Sequence, residues 1–365
     1  MHIAHIARRT CVRVMKEALA LQSQGHKVEL FSQCAFYEAE ELDGIHAFFT
    51  PEQLQKTIKS SQADIFHVHN EADWLVKVVK EASGGRPVVF DCHDLNSLSD
   101  DLSEPLQDEK DAFGYADGLV HVSYGHKAEC EKRHGNSKPA MVLPSLVNQR
   151  HVPPASMLSE PNWKAICYQG GLSVDQSITP MPETKRADGA TRIFVQYRAL
   201  HPVVRAFSSQ GYNFYLFSAE MQPMEEMSYF NAGGIMVQPI LYPIMLKAIR
   251  NFAFGFCGAP YPFVLMLTAL PNKFFEYISQ GVVPVIYNSD ETAQYARQFG
   301  VGIVLNSLEN LPAQLECAPE IRVNIMAQRE RMVMEGFIHY LIAFYETLLN
   351  GRAEPQKEER LYGNS

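Results

Sequence analysis

Several groups of residues in this chain carry side chains suited to chemistry. His67 and His69 alternate in FHVHNEAD, so both project to one side of a strand. The run DCHD closes a second apolar stretch with Asp91, His93 and Asp94. Gly170 and Gly171 follow a third, and Arg198 lies in QYRAL. In LPNKFFEYISQGVVPVIY, residues 270–287, Lys273 and Glu276 stand three apart and share one helix face. A carboxylate can accept two hydroxyls of a ribose, and an ammonium can meet a phosphate. Paired glycines let backbone amides approach a pyrophosphate with no Cβ in the way. An Asp or His at a strand end can serve as general base toward a hydroxyl. The HxH pair, with Asp91, His93 and Asp94, is also a ligand set that metal-dependent hydrolases use. Each group has a plainer reading. Lys273 and Glu276 can be a solvated ion pair worth a few tenths of a kcal/mol. Asp94 can cap the following turn, Gly170 and Gly171 can be only a turn, and Arg198 can be a surface arginine.

The elements that must position these residues alternate. MHIAHIA reads as a strand and RVMKEALALQSQG as an amphipathic helix stopped by glycine, followed by the strand HKVELFSQ. ADIFHVHN and RPVVFDCHD repeat the strand pattern with the helix WLVKVVKEAS between them, and YADGLVHVS and AMVLPS continue it. Residues 147–162 are polar and proline-rich, the composition of a linker. A second series follows: KAICYQGGL, NFYLFSA, GIMVQPI, FAFGFCG, VVPVIY and GIVL. Apolar strands alternating with helices predict doubly wound parallel sheets. Within 270–287, Asn272 is the expected helix N-cap and Gly281 the stop. A long apolar helix, RMVMEGFIHYLIAFYETLLNG, comes near the end, and the tail 352–365 reads as flexible.

With 365 residues the chain exceeds one ordinary core and suits two domains of roughly 150 to 180 residues. An apolar content of 46% with 20% charged residues excludes a disordered chain. No apolar run approaches the length of a membrane span, MHIAHIARRT lacks the core of a signal peptide, and a cytoplasmic protein is expected. The seven cysteines are scattered singly, which predicts reduced, mostly buried thiols rather than disulfides or a structural zinc site. A net charge of −9 argues against broad nucleic-acid binding.

Taken in order, these segments resemble the GT-B glycosyltransferases of the group-1, glycogen-synthase-like superfamily, whose members are mostly retaining. PNKFFEYISQGVVPV is similar to its donor-site signature. DIFHVHNEADW and VVFDCHDLNS are similar to its N-domain strand ends, YADGLVHVS to the strand before the domain crossover, and CYQGGL to the loop opening its donor domain. The resemblance implies an α/β fold of two Rossmann-like domains facing a central cleft. The expected domains are an acceptor domain over 1–150, a donor domain over 151–325, and a helix over 326–351 that returns to the first.

It further implies transfer of a hexose from a nucleotide sugar, UDP- or GDP-linked, to an acceptor hydroxyl, with no metal and no further cofactor. Glu276 would bind the ribose and Lys273 the diphosphate, helped by Asn272, Gly170, Gly171 and Arg198. His93 and Asp94 would lie beside the transferred sugar. In a retaining enzyme the departing phosphate takes the acceptor proton; in an inverting one, Asp94 or His93 is the base. His69, Asn70 and Glu71 would line the acceptor side. Arg8, Arg9 and Arg13 stand where the superfamily has glycines. At a helix N-terminus three cations oppose the dipole unless an anion sits there, so an acceptor phosphate is one reading and partnering by acids the other. The acceptor classes left open are a glycan, a lipid-linked sugar, a small molecule and a modified nucleic acid. Thr268 occupies the position of the superfamily's second acid. Two rival readings stand: a metal-dependent hydrolase built on the HxH and DCHD strand ends, and a GT-B-fold partner protein without catalysis.

Overall fold

The computed structural model describes residues 1–70, 72–99, 102, 104–173, 198–218, 221 and 223–351. It divides into two compact units: Met1–Gln149 with the stretch from Val333 onward, and Arg150–Met332. The flexible tail expected at 352–365 lies outside the described residues, as does Glu71.

The first unit runs β1 (His2–Arg9), α1 (Val12–Ser23), β2 (Lys27–Cys34), β3 (Gly44–Ala47), α2 (Pro51–Ser60), β4 (Ile65–His69), α3 (Trp74–Ala82) and β5 (Val88–Cys92). It continues through α4 (Asn96–Ser99), α5 (Gln107–Tyr115), β6 (Gly118–His121), α6 (Tyr124–His134) and β7 (Ala140–Val142). All strands are parallel, in the order β3-β2-β1-β4-β5-β6-β7. The order reverses between β1 and β4, the place where doubly wound sheets put ligands outside their carboxyl ends. β4 and β5 are buried along their whole length, as strands covered on both faces must be. Phe66 and Phe90 are fully buried, each contributing roughly 1.5–3 kcal/mol of apolar burial. β3 is short and half exposed, so it leaves no readable periodicity in the sequence.

The second unit runs β8 (Asn162–Gln169), α7 (His201–Ser209), β9 (Asn213–Phe217), α8 (Pro223–Asn231), β10 (Gly234–Val237), α9 (Tyr242–Ile249) and β11 (Phe252–Gly258). It continues through α10 (Val264–Thr268), α11 (Asn272–Ser279), β12 (Val283–Tyr287), α12 (Asp290–Phe299), β13 (Ile303–Val304), α13 (Leu311–Gln314) and α14 (Ala318–Gln328). Its sheet is β10-β9-β8-β11-β12-β13, again parallel, with the reversal between β8 and β11. The proline-rich stretch is tied to this unit: buried Arg329 donates to the carbonyls of Pro153 and Ser279, and Gln280 donates to that of His151.

The last helix, α15 (Met334–Leu349), is part of the first unit. A parallel bridge joins Val147 to Val333, so the chain leaves and re-enters that unit at one place. α15 packs on α1 and lays Phe344 and Leu348 against Gly118. It also brings the Tyr345 hydroxyl to His67 Nδ1.

Candidate functional site

In the second unit, α11 is held at one height on the sheet by Tyr277. Its ring occupies the space over Gly255, where an added Cβ would lie 2.4 Å from it. Its hydroxyl accepts from the Gln169 amide at 3.2 Å and donates to the Cys167 carbonyl at 3.4 Å. That tether places the next residue back, Glu276, beside the end of β8. Glu276 is 4% exposed and accepts hydrogen bonds from the Gln169 side-chain amide and from the Tyr242 hydroxyl, the latter at 3.1 Å. The acid among aromatics is therefore not half of a solvated ion pair but a buried, oriented carboxylate.

β8 runs out at Gln169, and the chain turns through Gly170 at φ +135°. A Cβ on Gly170 would lie 3.2 Å from Lys273 Nζ, and one on Gly171 would lie 2.8 Å from Arg198 Nη1. The glycines therefore admit two cations against the loop's own backbone. Lys273 Nζ also stands 3.8 Å from the centroid of the Tyr168 ring, whose hydroxyl donates to the Gly171 carbonyl at 3.0 Å. Lys273, Arg198, Gly170, Gly171 and Glu276 accordingly gather at the carboxyl end of β8.

Asn272 differs from expectation. Pro271 occupies the N-cap position and Asn272 is the first helical residue, with its Oδ1 buried and without a hydrogen-bond partner. Extended backbone at Pro271 starts the helix with no side-chain cap. Thr268 bonds back to the Val264 and Leu265 carbonyls of α10. Gln169 and Tyr242 are site residues whose part in orienting Glu276 sequence reasoning misses. A glutamine at a strand end and an aromatic opening a helix carry no distinctive spacing.

In the first unit, the C-terminal halves of β1, β4 and β5 converge on a buried polar cluster. Arg13, from α1, donates to both oxygens of Asp91 at 2.9 and 3.0 Å, meets Glu17 at 2.9 Å and donates to the Leu143 carbonyl at 2.8 Å. Arg13 is 1% exposed. The reading of Arg13 as a phosphate ligand is therefore corrected: its donors are committed to acids inside the unit. Arg8 and Arg9 end β1 and are exposed, Arg9 lying over the Phe36 ring at 5.9 Å.

His5, His67 and His69 stack with ring centroids 4.5 to 5.1 Å apart, all fully buried. His69 is bonded to His5 at 2.8 Å and to His93 at 3.1 Å. That corrects its placing on the acceptor side, because it is fully buried and also meets Asp91 at 3.2 Å. Burial holds His5, His67 and His69 below the usual imidazole range, so they are neutral. Burial would depress His93 as well, but the negative charges of Asp91 and of Cys11 as a thiolate outweigh it and push the His93 imidazolium up to about 10. Burial raises the Glu17 carboxyl, only partly offset by Arg13, while Arg13 and His93 overcome the same burial at Asp91 and hold it ionised.

His93 sits just past β5 with a side chain 14% exposed, its Nδ1 3.9 Å from Cys11 Sγ. Asn70 pins the loop there: its Oδ1 accepts from the His93 backbone N–H at 2.9 Å and its amide donates to the Asp94 carbonyl. His93 and Asp94 are thus presented together at a strand end.

Glu17, His67, His69 and Asp91 could between them hold a metal ion. The Arg13 guanidinium already occupies Asp91 and Glu17 with a permanent cation, and all four residues are fully buried. A hydrolytic metal needs an open coordination position for water, so the hydrolase reading fits this cluster poorly.

Residues 12–150 match the family model described as Glycosyltransferase Family 4. Solved structures resemble the chain along almost its whole length. Sucrose-phosphate synthase from Thermosynechococcus elongatus is 11% identical with a TM-score of 0.69, over 96% of this chain and 100% of that one. Anabaena HepE in complex with UDP and glucose is 14% identical with a TM-score of 0.67, over 96% and 100%. A glycosyltransferase from Rickettsia africae ESF-5 is 12% identical with a TM-score of 0.65, over 95% and 98%. A comparison with curated protein sequences gives no match. The fold is GT-B. With the family match over 12–150, the class is a glycosyltransferase of that fold. Among the described residues, no helix is long and apolar enough to cross a membrane.

Proposed function

We propose that the chain transfers a hexose from a nucleoside diphosphate sugar to an acceptor hydroxyl, with retention and without a metal in the chemical step. The observation that carries this reading is the grouping at the end of β8: a buried, doubly bonded Glu276 beside two glycines that each receive a cation. Glu276 accepts the ribose hydroxyls. Lys273 and Arg198 meet the diphosphate, with the Gly170–Gly171 backbone approaching it closely. Two cations at the diphosphate stabilise the negative charge that grows on the leaving group as the glycosidic bond breaks, and preorganised stabilisation of that kind does most to lower the barrier. Fixed cations also lessen the need for a divalent ion.

UDP is the favoured nucleotide, because the similar HepE and alpha-glucosyltransferase structures are complexes with UDP. His93, an imidazolium at a strand end, and Asp94 are assigned to the transferred sugar. Arg8 and Arg9 remain available to an anionic acceptor. One similar alpha-glucosyltransferase is a complex with UDP and a DNA 13-mer, so a nucleic-acid acceptor belongs among those tested.

The test is calorimetry with UDP, GDP and ADP, followed by donor turnover with and without brief EDTA treatment, and NMR of the anomeric proton in the product. UDP binding that Glu276→Ala weakens by about tenfold or more, with unchanged circular dichroism, is the expected result. Undiminished UDP affinity in that variant would sink the donor assignment. Turnover of any donor, hydrolysis included, argues against the partner-protein reading. An absolute need for added Mg²⁺ or Mn²⁺ would overturn the metal-free step, and an inverted anomer would overturn retention.

A further inference from the structure

The far side of β5 carries a second cluster that the donor chemistry does not use. Cys92 is the last residue of β5 and its register partner on β6 is His121, so the two side chains leave the sheet on one side. His126 and Cys130 are four apart on α6 and share a helix face. Cys92, His126 and Cys130 are each 1% exposed and His121 is 0% exposed. The sulfurs of Cys92 and Cys130 both lie 3.9 Å from His126 Nε2, and the ligand atoms of these three residues are all within 4.8 Å of one another. The His121 ring lies 5.6 Å from that of His126, and neither of its nitrogens has a hydrogen-bond partner. A buried imidazole with both nitrogens unmatched is a rarity that calls for a missing partner.

We propose that Cys92, His121, His126 and Cys130 form a structural zinc site. In a tetrahedral centre with Zn–S near 2.3 Å and Zn–N near 2.0 Å, sulfur and nitrogen stand about 3.5 Å apart, near the separations found between the two cysteines and His126. Two thiolates cancel the dication, so the loaded site buries no net charge, which a site this deep requires. Loading balances simply: Zn²⁺ enters, each cysteine S–H proton leaves to solvent, and no redox change occurs. The site would fasten β5, β6 and α6 together immediately before His93 and Asp94. The seven cysteines are free and mostly buried, as the sequence predicts, but Cys92 and Cys130 meet through the crossover between β5 and α6, a proximity their spacing does not announce.

The experiment uses untagged full-length protein, purified under a phosphine reductant, with zinc measured by plasma mass spectrometry. One zinc per chain is expected, lost in C92S and C130S, and stripped faster by a chromogenic chelator in H121A. The variants could fail to fold, so cobalt-substituted wild type provides an independent reading. A sulfur-to-cobalt charge-transfer band with the d–d bands of a tetrahedral centre supports the site. Cobalt bound without the sulfur band would place the metal elsewhere, as on the sulfur-free Glu17 cluster, and would overturn the proposal. Metal-free wild type that takes up no cobalt, or a Cys92–Cys130 disulfide found by peptide mass, would overturn it too.

Discussion

Arg13 grips Asp91 as a fork, Nε to Oδ2 at 2.9 Å and Nη2 to Oδ1 at 3.0 Å, with both side chains out of solvent. Such a pair is worth little against an apolar replacement of both partners, but losing one partner strands the other charge at a cost of about 3–5 kcal/mol. Arg13→Met is therefore expected to lower the urea unfolding free energy by about that much. The double variant Arg8→Ala, Arg9→Ala, at exposed positions, should cost within about 0.5 kcal/mol. A mild effect of Arg13→Met would return this residue to the ligand-binding candidates.

Tyr242 orients Glu276 rather than touching chemistry. Removing its hydroxyl as Tyr242→Phe keeps the ring and its edge-on contact with His151 while deleting one hydrogen bond to a carboxylate. Such a bond contributes about 1.5–3 kcal/mol, so UDP affinity should fall by about tenfold or more and Tm should drop by a few degrees, with the fold retained by circular dichroism. Equal losses for UDP and for inorganic pyrophosphate would contradict this, since the effect belongs to the ribose side.

Lys273 is assigned to the diphosphate, and the assignment can be isolated by ligand truncation. Lys273→Met should weaken UDP by about tenfold and leave uridine binding unchanged, because only the phosphate contact is removed. Gly170→Ala is expected to act in the same direction. It puts a Cβ 3.2 Å from Lys273 Nζ at a φ that disfavours any side chain. Parallel losses for uridine and UDP in Lys273→Met would mean that the lysine shapes the site and does not bind phosphate.

What the sequence makes legible follows from what is local. The helix and strand within 270–287 are readable because Gly281, at φ +73°, and the β-branched run after it act within a few residues. Alternating strands and helices likewise specify both parallel sheets. The pairings Arg13–Asp91, Tyr242–Glu276 and Cys92–Cys130 are not readable. Each joins residues on different elements, and neither periodicity nor a motif marks such a meeting. Arg13 and Glu17 lie on a helix face that reads as polar but is buried, since Asp91 and His67 wait beneath it. Asn272 misleads for a local reason: the extended Pro271 already ends the preceding loop, leaving no cap for the asparagine to make.

The stacked histidines make the fold sensitive to acid. His5, His67 and His69 are held below their ordinary range by burial, reinforced at His5 and His69 by the neighbouring imidazoles. The unfolded chain takes up these protons at about pH 6.5, whereas the folded chain resists them until a lower pH. The unfolded state then binds more protons, so this stability is intact above about pH 6.5 and is lost as pH falls toward the folded values. Each such proton steepens the decline by about 1.4 kcal/mol per pH unit. His5→Phe keeps a ring for stacking on His67 and His69 and removes one titrating group. Urea unfolding at steps from pH 7.5 to 5 should therefore give a shallower decline in the variant, by about one proton's slope. Parallel profiles for the two proteins would show that His5 does not carry the acid sensitivity.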